Sequence, residues 1–127
     1  MKVLIVDDSR PIRNIMSRML VDMGHEIIEA ANGEEALGQL ETHPDIELVM
    51  LDWNMPKMNG IETLMALKKN KDRTSKPTVV MVSTENETKK IVRAMCNGAS
   101  EYIMKPFTKE ILVEKLEILG IKENDHA

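Results

Sequence analysis

The stretch "LIVDDSR", residues 4–10, sets two carboxylates, Asp7 and Asp8, directly after an apolar run. An apolar run this short that stops this abruptly in charge reads as a buried strand, the kind found in parallel sheets covered by helices on both faces. Two like charges at its end call for a compensating group. The same seven residues therefore raise both the question of fold and that of function.

Working outward, the chain alternates between two periodicities. Strand-like runs occupy residues 3–6, 27–30, 48–51, 78–82 and 102–104, with the second the weakest. Between them lie helical patterns. After Ser9, an N-cap residue, and Pro11 in the first turn, Ile12, Ile15, Met16, Met19, Leu20 and Met23 recur at three- and four-residue spacing up to Gly24. That spacing predicts a helix with one buried stripe. Residues 33–40, 61–69, 88–97 and 109–119 predict four more, the fourth helix closed by Gly98 and the fifth carrying Leu112, Leu116 and Leu119 on one face. Five strand–helix units fit in this length only with short loops, which predicts a parallel sheet between two helical layers.

Composition narrows the function. The 127 residues and 43% hydrophobic content suit one core, expected over residues 1–121, with "KENDHA" at 122–127 as a frayed tail. A net charge of -4, with Lys and Arg scattered singly, supplies no basic stripe, so nucleic acid and anionic membranes are disfavoured as partners and proteins are favoured. The opening apolar run is too short for a signal peptide or a membrane span, which predicts a cytoplasmic protein without membrane insertion. A single cysteine, Cys96, excludes an internal disulfide and a multi-cysteine metal site, and reads as a small core residue on a helix. His25, His43 and His126 lie away from the acidic groups and read as surface or loop residues. Eleven Met beside one Trp, one Tyr and one Phe predict a core filled by flexible aliphatic side chains.

In open parallel sheets functional groups gather beyond the carboxyl ends of the strands. The first strand ends in Asp7 and Asp8, the third in Asp52 ("LVMLDWNMP"), the fourth in Ser83 ("VVMVSTE"), and Lys105 follows the fifth ("MKPF"). One such acid would be an ordinary loop start, and Asp8 or Ser9 alone would be a helix cap. Three carboxylates about 4–6 Å apart raise one another's pKa and cost stability unless something compensates. Mg2+ is the ligand that chemistry suggests, since it prefers oxygen donors, takes one or two carboxylates and shares its sphere with phosphoryl groups. Three aspartates set against Mg2+ and Lys105 leave the site near neutral. Phosphorylation of one Asp would upset that balance and draw Lys105 and Ser83 inward through charge-assisted hydrogen bonds.

These residues carry a family resemblance. Through "VDDS", "LDWNMPKMNG", "MVSTE" and "NGASEYIMKPF", in that order and spacing, nearly the whole chain resembles the response-regulator receiver domains, and within them the stand-alone chemotaxis members. The resemblance implies a flavodoxin-like (βα)5 three-layer sandwich with a five-stranded parallel sheet of order 2-1-3-4-5. It implies Asp52 as phosphoacceptor, attacking the phosphohistidine of a sensor histidine kinase of the chemotaxis type. Asp8 and Asp52 would bind Mg2+ directly, Asn54 through its backbone carbonyl and Asp7 mainly through water. Lys105 would pair with the phosphoryl group and Ser83 would hydrogen-bond to it; many relatives have Thr at that position. Pro106 would follow a cis bond. Asn54 and Glu85 occupy the positions that set phosphoryl lifetime and resemble the fast self-dephosphorylating members.

The resemblance further implies an output face built from the fourth helix, fifth strand and fifth helix. Tyr102 would turn inward there as Ser83 moves, and Lys89, Lys90, Arg93 and Lys109 would rim a site for an acidic partner peptide. Expected partners are the kinase, a flagellar motor switch protein and possible phosphatases, bound by a monomer that is a phosphoacceptor switch and no turnover enzyme. A phosphorelay shuttle or kinase-regulated adaptor is the second role. A haloacid-dehalogenase-like phosphatase combines similar groups, but the acid it needs two residues after the nucleophile is Asn54 here and a cap domain is missing. A flavodoxin-type FMN binder is weaker, because Asp7 and Asp8 would repel phosphate. Trp53, beside the acceptor, would report metal binding by fluorescence or only cover the site.

Overall fold

The apolar runs become five parallel strands in the computed structural model, which describes residues 1–69, 76–84 and 88–121. In chain order the elements are β1 (Lys2–Val6), α1 (Arg10–Asp22), β2 (Glu26–Ala30), α2 (Gly33–Thr42), β3 (Ile46–Asp52), α3 (Gly60–Lys69), β4 (Thr78–Ser83), α4 (Thr88–Cys96), β5 (Glu101–Met104) and α5 (Lys109–Ile118). The sheet order is β2-β1-β3-β4-β5, the flavodoxin-like arrangement expected. The strand order reverses beside β1, so β1 and β3 are central neighbours and their carboxyl ends flank the crevice. The expected tail and Glu85 lie outside the described residues.

Each central strand feeds two cores. Val3 and Ile5 of β1 join Met16, Leu20, Leu112 and Leu116 on the α1/α5 side. Leu4 and Val6 join Leu40, Leu64, Ala94 and Tyr102 on the α2/α3/α4 side. Side-chain alternation thus fills both layers from one strand, which is why the sequence shows continuous apolar runs instead of alternation.

Local chemistry sets the helix ends. Ser9, Asn32 and Thr108 are N-caps whose side chains accept from the backbone N–H three residues on. Asn59 and Glu62 form a reciprocal capping box before α3, with Glu62 N–H donating to Asn59 Oδ1 at 2.9 Å and Asn59 N–H donating to Glu62 Oε1 at 3.2 Å. At the other end of α1, Gly24 takes φ 92°. Its N–H donates to the Val21 carbonyl, and the His25 N–H reaches back to the Leu20 carbonyl at 3.0 Å, a Schellman closure.

Three expectations are corrected. His25 lies in the loop between α1 and β2 but is buried, not on the surface, because the Schellman closure folds it back over the end of α1. Cys96 is exposed, not core: α4 turns Ala94 to the sheet, and two residues further on points about 200° around the helix, toward solvent. Ile15 also leaves the buried stripe, lying about 100° from Met16, and it lines a shallow apolar groove with Ile12, Met19 and Phe107 instead. Leu119 shares the face of Leu112 and Leu116 as expected, packing half-buried against the same core.

Candidate functional site

Asp52 is the last residue of β3, and Asp7 follows the last residue of β1. The pairing of Val6 with Leu51 brings these two positions side by side at one sheet edge. One carboxylate oxygen from each of Asp7, Asp8 and Asp52 lies within 4.8 Å of the others. Asp7 and Asp52 are buried and Asp8 is exposed, so the cluster opens to solvent through Asp8. A hard divalent cation with several waters suits that arrangement: the donors are all oxygens, and one side is open for water.

Lys105 closes the cluster from just past the end of β5. Its ammonium donates to Asp7 Oδ2 at 2.7 Å and to Asp52 Oδ1 at 3.1 Å. The Lys105 N–H donates to the Ser83 carbonyl at 2.9 Å, and the Lys105–Pro106 bond is cis, as expected. Ser83 ends β4 fully buried, one residue beyond Val82, the register partner of Asp52. The expected acids, hydroxyl and ammonium therefore converge on one sheet edge.

Electrostatics follow from burial. Desolvation pushes the Asp52 carboxyl up to about 6, with Asp7 and Asp8 adding to the rise and Lys105 opposing it. Burial works against the Lys105 charge, but its hydrogen bond to Asp7 and the charges of Asp52 and Asp7 hold its pKa above the ordinary lysine value. The ammonium is thus fixed as a cation beside an uncommonly basic carboxylate. A basic carboxylate is the better nucleophile, and a fixed cation stabilises charge on an incoming phosphoryl group.

Asp7 has every polar group engaged. Its N–H donates to the Ala30 carbonyl at 3.1 Å, its Oδ1 accepts from the Ser9 N–H at 2.8 Å, its Oδ2 holds Lys105, and its carbonyl accepts from Arg13 Nη1 at 2.7 Å. Arg13 is a residue that sequence reading missed. Its position on the helical pattern marks it only as polar, and the contact depends on the turn between β1 and α1.

The loop after β3 is drawn tight. Gly60 N–H donates to the Trp53 carbonyl at 2.9 Å, and a Cβ at Gly60 would collide with the Asp52 carbonyl oxygen. Only glycine lets α3 begin so close to Asp52. Within this loop Lys57 sits at φ 66°, a conformation strained for a residue with a side chain. Asn54 is exposed two residues past Asp52, and Trp53 is buried.

Tyr102 does not join the cluster. It is buried at 7% exposure among the core residues under α4, beside Ala94 and Ala99. Of the expected rim, Lys89 and Arg93 are exposed, while Lys90 and Lys109 are half-buried. Val92, Met95, Met104, Ile111 and Ile118 are exposed apolar residues on these same elements. His43 is half-buried, away from the acids, and His126 lies outside the described residues.

The chain belongs to the response regulator receiver domain family, whose model matches residues 3–117. Among its relatives, the chemotaxis protein CheY homolog of Campylobacter jejuni is 39% identical over 129 residues, spanning 100% of this chain and 98% of the relative. Chemotaxis protein CheY1 of Helicobacter pylori is 37% identical, spanning 94% of this chain and 96% of the relative. The solved structure of CheY4 from Vibrio cholerae superposes with a TM-score of 0.83 at 34% identity, covering 92% of this chain and 96% of that one. A CheX–CheY–BeF3–Mg2+ complex from Borrelia burgdorferi gives 0.86 at 31% identity, covering 96% of this chain and 90% of that one. The chain is therefore a CheY-like response regulator of two-component signalling. Among the described residues, no helix is long and apolar enough to cross a membrane.

Proposed function

We propose that the protein is a phosphorylation switch for chemotaxis, charged on Asp52 by a sensor histidine kinase and read out by protein partners in the cytoplasm. The observation that carries this is the Lys105 ammonium held between Asp7 and Asp52, 2.7 Å from one and 3.1 Å from the other. In the reaction an Asp52 oxygen bonds to phosphorus as the P–N bond of the donor phosphohistidine breaks, and the departing imidazole takes up a proton. Asp8, Asp52 and the Asn54 carbonyl, with Asp7 acting through water, would hold a Mg2+ ion, which when bound would supply charge neutralisation for that transfer. Lys105 and Ser83 bind the oxygens of the transferred group.

Output follows from the same contacts. Lys105 leaves its present partners for the phosphoryl group, Ser83 moves with it, and the core around Tyr102 repacks under α4. The face of α4, β5 and α5, with its exposed apolar residues rimmed by Lys89, Lys90, Arg93 and Lys109, is the surface offered to a flagellar motor switch protein. Asn54 and Glu85 set a short phosphoryl lifetime. The Borrelia relative's complex with CheX makes a phosphatase-type partner a further candidate. The protein acts as a monomer, with residues 1–121 as the receiver and 122–127 as its tail.

The test is to add BeF3- and Mg2+, which together mimic the phosphoryl group, and follow amide shifts. Changes spreading from Asp52 through Ser83 to Tyr102 and α4 support the switch. Changes confined to the acid cluster refute it.

A further inference from the structure

Arg13 makes contacts that the phosphorylation chemistry itself does not require. Its Nη1 donates to the Asp7 carbonyl at 2.7 Å, and its Nε donates to Glu29 Oε1 at 3.1 Å. The side chain is 16% exposed, so the fork lies mostly buried between α1 and β2. Glu29 is anchored in turn, its carbonyl accepting from Gln39 Nε2 at 3.2 Å. A brace thus runs from α2 through β2 and Arg13 to the turn after β1.

The brace ends on a meaningful atom. The Asp7 carbonyl and the Asp8 N–H belong to one planar peptide unit, so fixing that oxygen fixes the plane from which the Asp8 Cα hangs. Asp8 is the exposed member of the acid cluster and follows Asp7 directly. The Arg13 contact therefore fixes the backbone plane from which the Asp8 side chain reaches toward Asp52.

We infer that Arg13 is a positioning residue for the divalent-cation site, acting through the Asp7 carbonyl to aim Asp8. The inference rests on the Mg2+ reading of the acid cluster and extends it to a residue that touches neither metal nor substrate. Two effects of Arg13 oppose one another. A guanidinium near a cation site repels the cation, whereas a fixed donor geometry favours binding. Glu29 pairs with the guanidinium and offsets much of its charge, so positioning wins. Groups that orient metal ligands typically change affinity roughly 10- to 100-fold when removed.

The experiment is an amide-shift titration with MgCl2 on wild type, Arg13→Gln and Arg13→Lys, each with a thermal melt as a check on folding. Arg13→Gln is expected to weaken Mg2+ binding roughly 10-fold while the protein stays folded. Arg13→Lys keeps the charge but not the two-pronged fork, and is expected to weaken binding too. If Arg13→Gln fails to fold, Arg13→Lys carries the same reading. Unchanged affinity with a lowered melting temperature would make Arg13 merely structural and overturn the inference, and tighter binding would show that charge outweighs position. A wild-type protein whose shifts never saturate with Mg2+ would remove the metal reading itself, a different failure from a saturating wild type matched by its variant.

Discussion

The Lys105 ammonium is closer to Asp7 Oδ2, at 2.7 Å, than to Asp52 Oδ1, which it also contacts at 3.1 Å. In this state the lysine is anchored chiefly on a buried neighbour and only secondarily on Asp52. A phosphoryl group on Asp52 then competes with Asp7 for the same cation, with more oxygens and more charge. In the proposed switch, the arrival of that group makes Lys105 change partner.

Lys105→Ala removes that cation and leaves Asp7 and Asp52 buried without it. In Mg2+-free buffer the variant should lose about 2 kcal/mol, less than for a sealed pair because Asp52 can take up a proton. It should still accept phosphate but respond weakly in conformation. Denaturant melts check the first part, and amide shifts with BeF3- and Mg2+ the second.

Asp52→Asn should stabilise the metal-free protein. The folded-state pKa of Asp52 is raised from 3.8 to about 6, so the folded state favours the protonated form. Its contribution is full below the unfolded value and lost as pH rises through the folded value. At pH 7 the asparagine variant should therefore exceed wild type by about 2 kcal/mol, the gap closing toward pH 4. Paired denaturant melts across that range, without Mg2+, measure it. An equal gap at both ends would deny the burial effect.

His25 should make stability fall in mild acid. Burial holds its pKa below the usual 6.5, the N-terminal charge adds to this, and its Nε2 is buried without a hydrogen-bond partner among the described residues. The unfolded chain takes up the proton first, so the stabilisation is complete above 6.5 and declines as pH falls toward the folded value. His25→Phe should flatten the melting temperature between pH 7 and pH 5 relative to wild type.

Lys57→Gly should stabilise the loop beside the acceptor. The position has φ 66°, which glycine adopts without the Cβ clash. A gain of about 0.5–1 kcal/mol is expected, the relief of strain being partly offset by the freer unfolded chain. Chemical denaturation reads it directly.

The parts of the fold legible in the sequence were those where residue type alone decides. Apolar runs ending in Asp7, Asp52 and Ser83 mark buried strands and their functional edge at once, because a parallel strand shows its burial as continuous hydrophobicity. The alternation of strand and helix predicts helices on both faces, while the strand order came from family resemblance. What sequence hid depends on helix phase and chain reversal. Cys96 and Ile15 are apolar residues of predicted helices, yet a rotation of about 100–200° decides exposure, and only packing sets it. His25 is buried by a closure around Gly24 that pattern reading treats as a plain helix end. Arg13 reaches a carbonyl, and backbone acceptors leave no trace in side-chain spacing.

The central claim is that Asp52 takes up a phosphoryl group with Mg2+ and loses it again. The most direct measurement is intact mass after adding acetyl phosphate, with Mg2+, without Mg2+, and with Asp52→Asn. The account predicts one phosphoryl group gained only by the wild type with Mg2+, decaying once donor is removed. Phosphate retained on Asp52→Asn, or no gain by a folded protein that binds Mg2+, would contradict it.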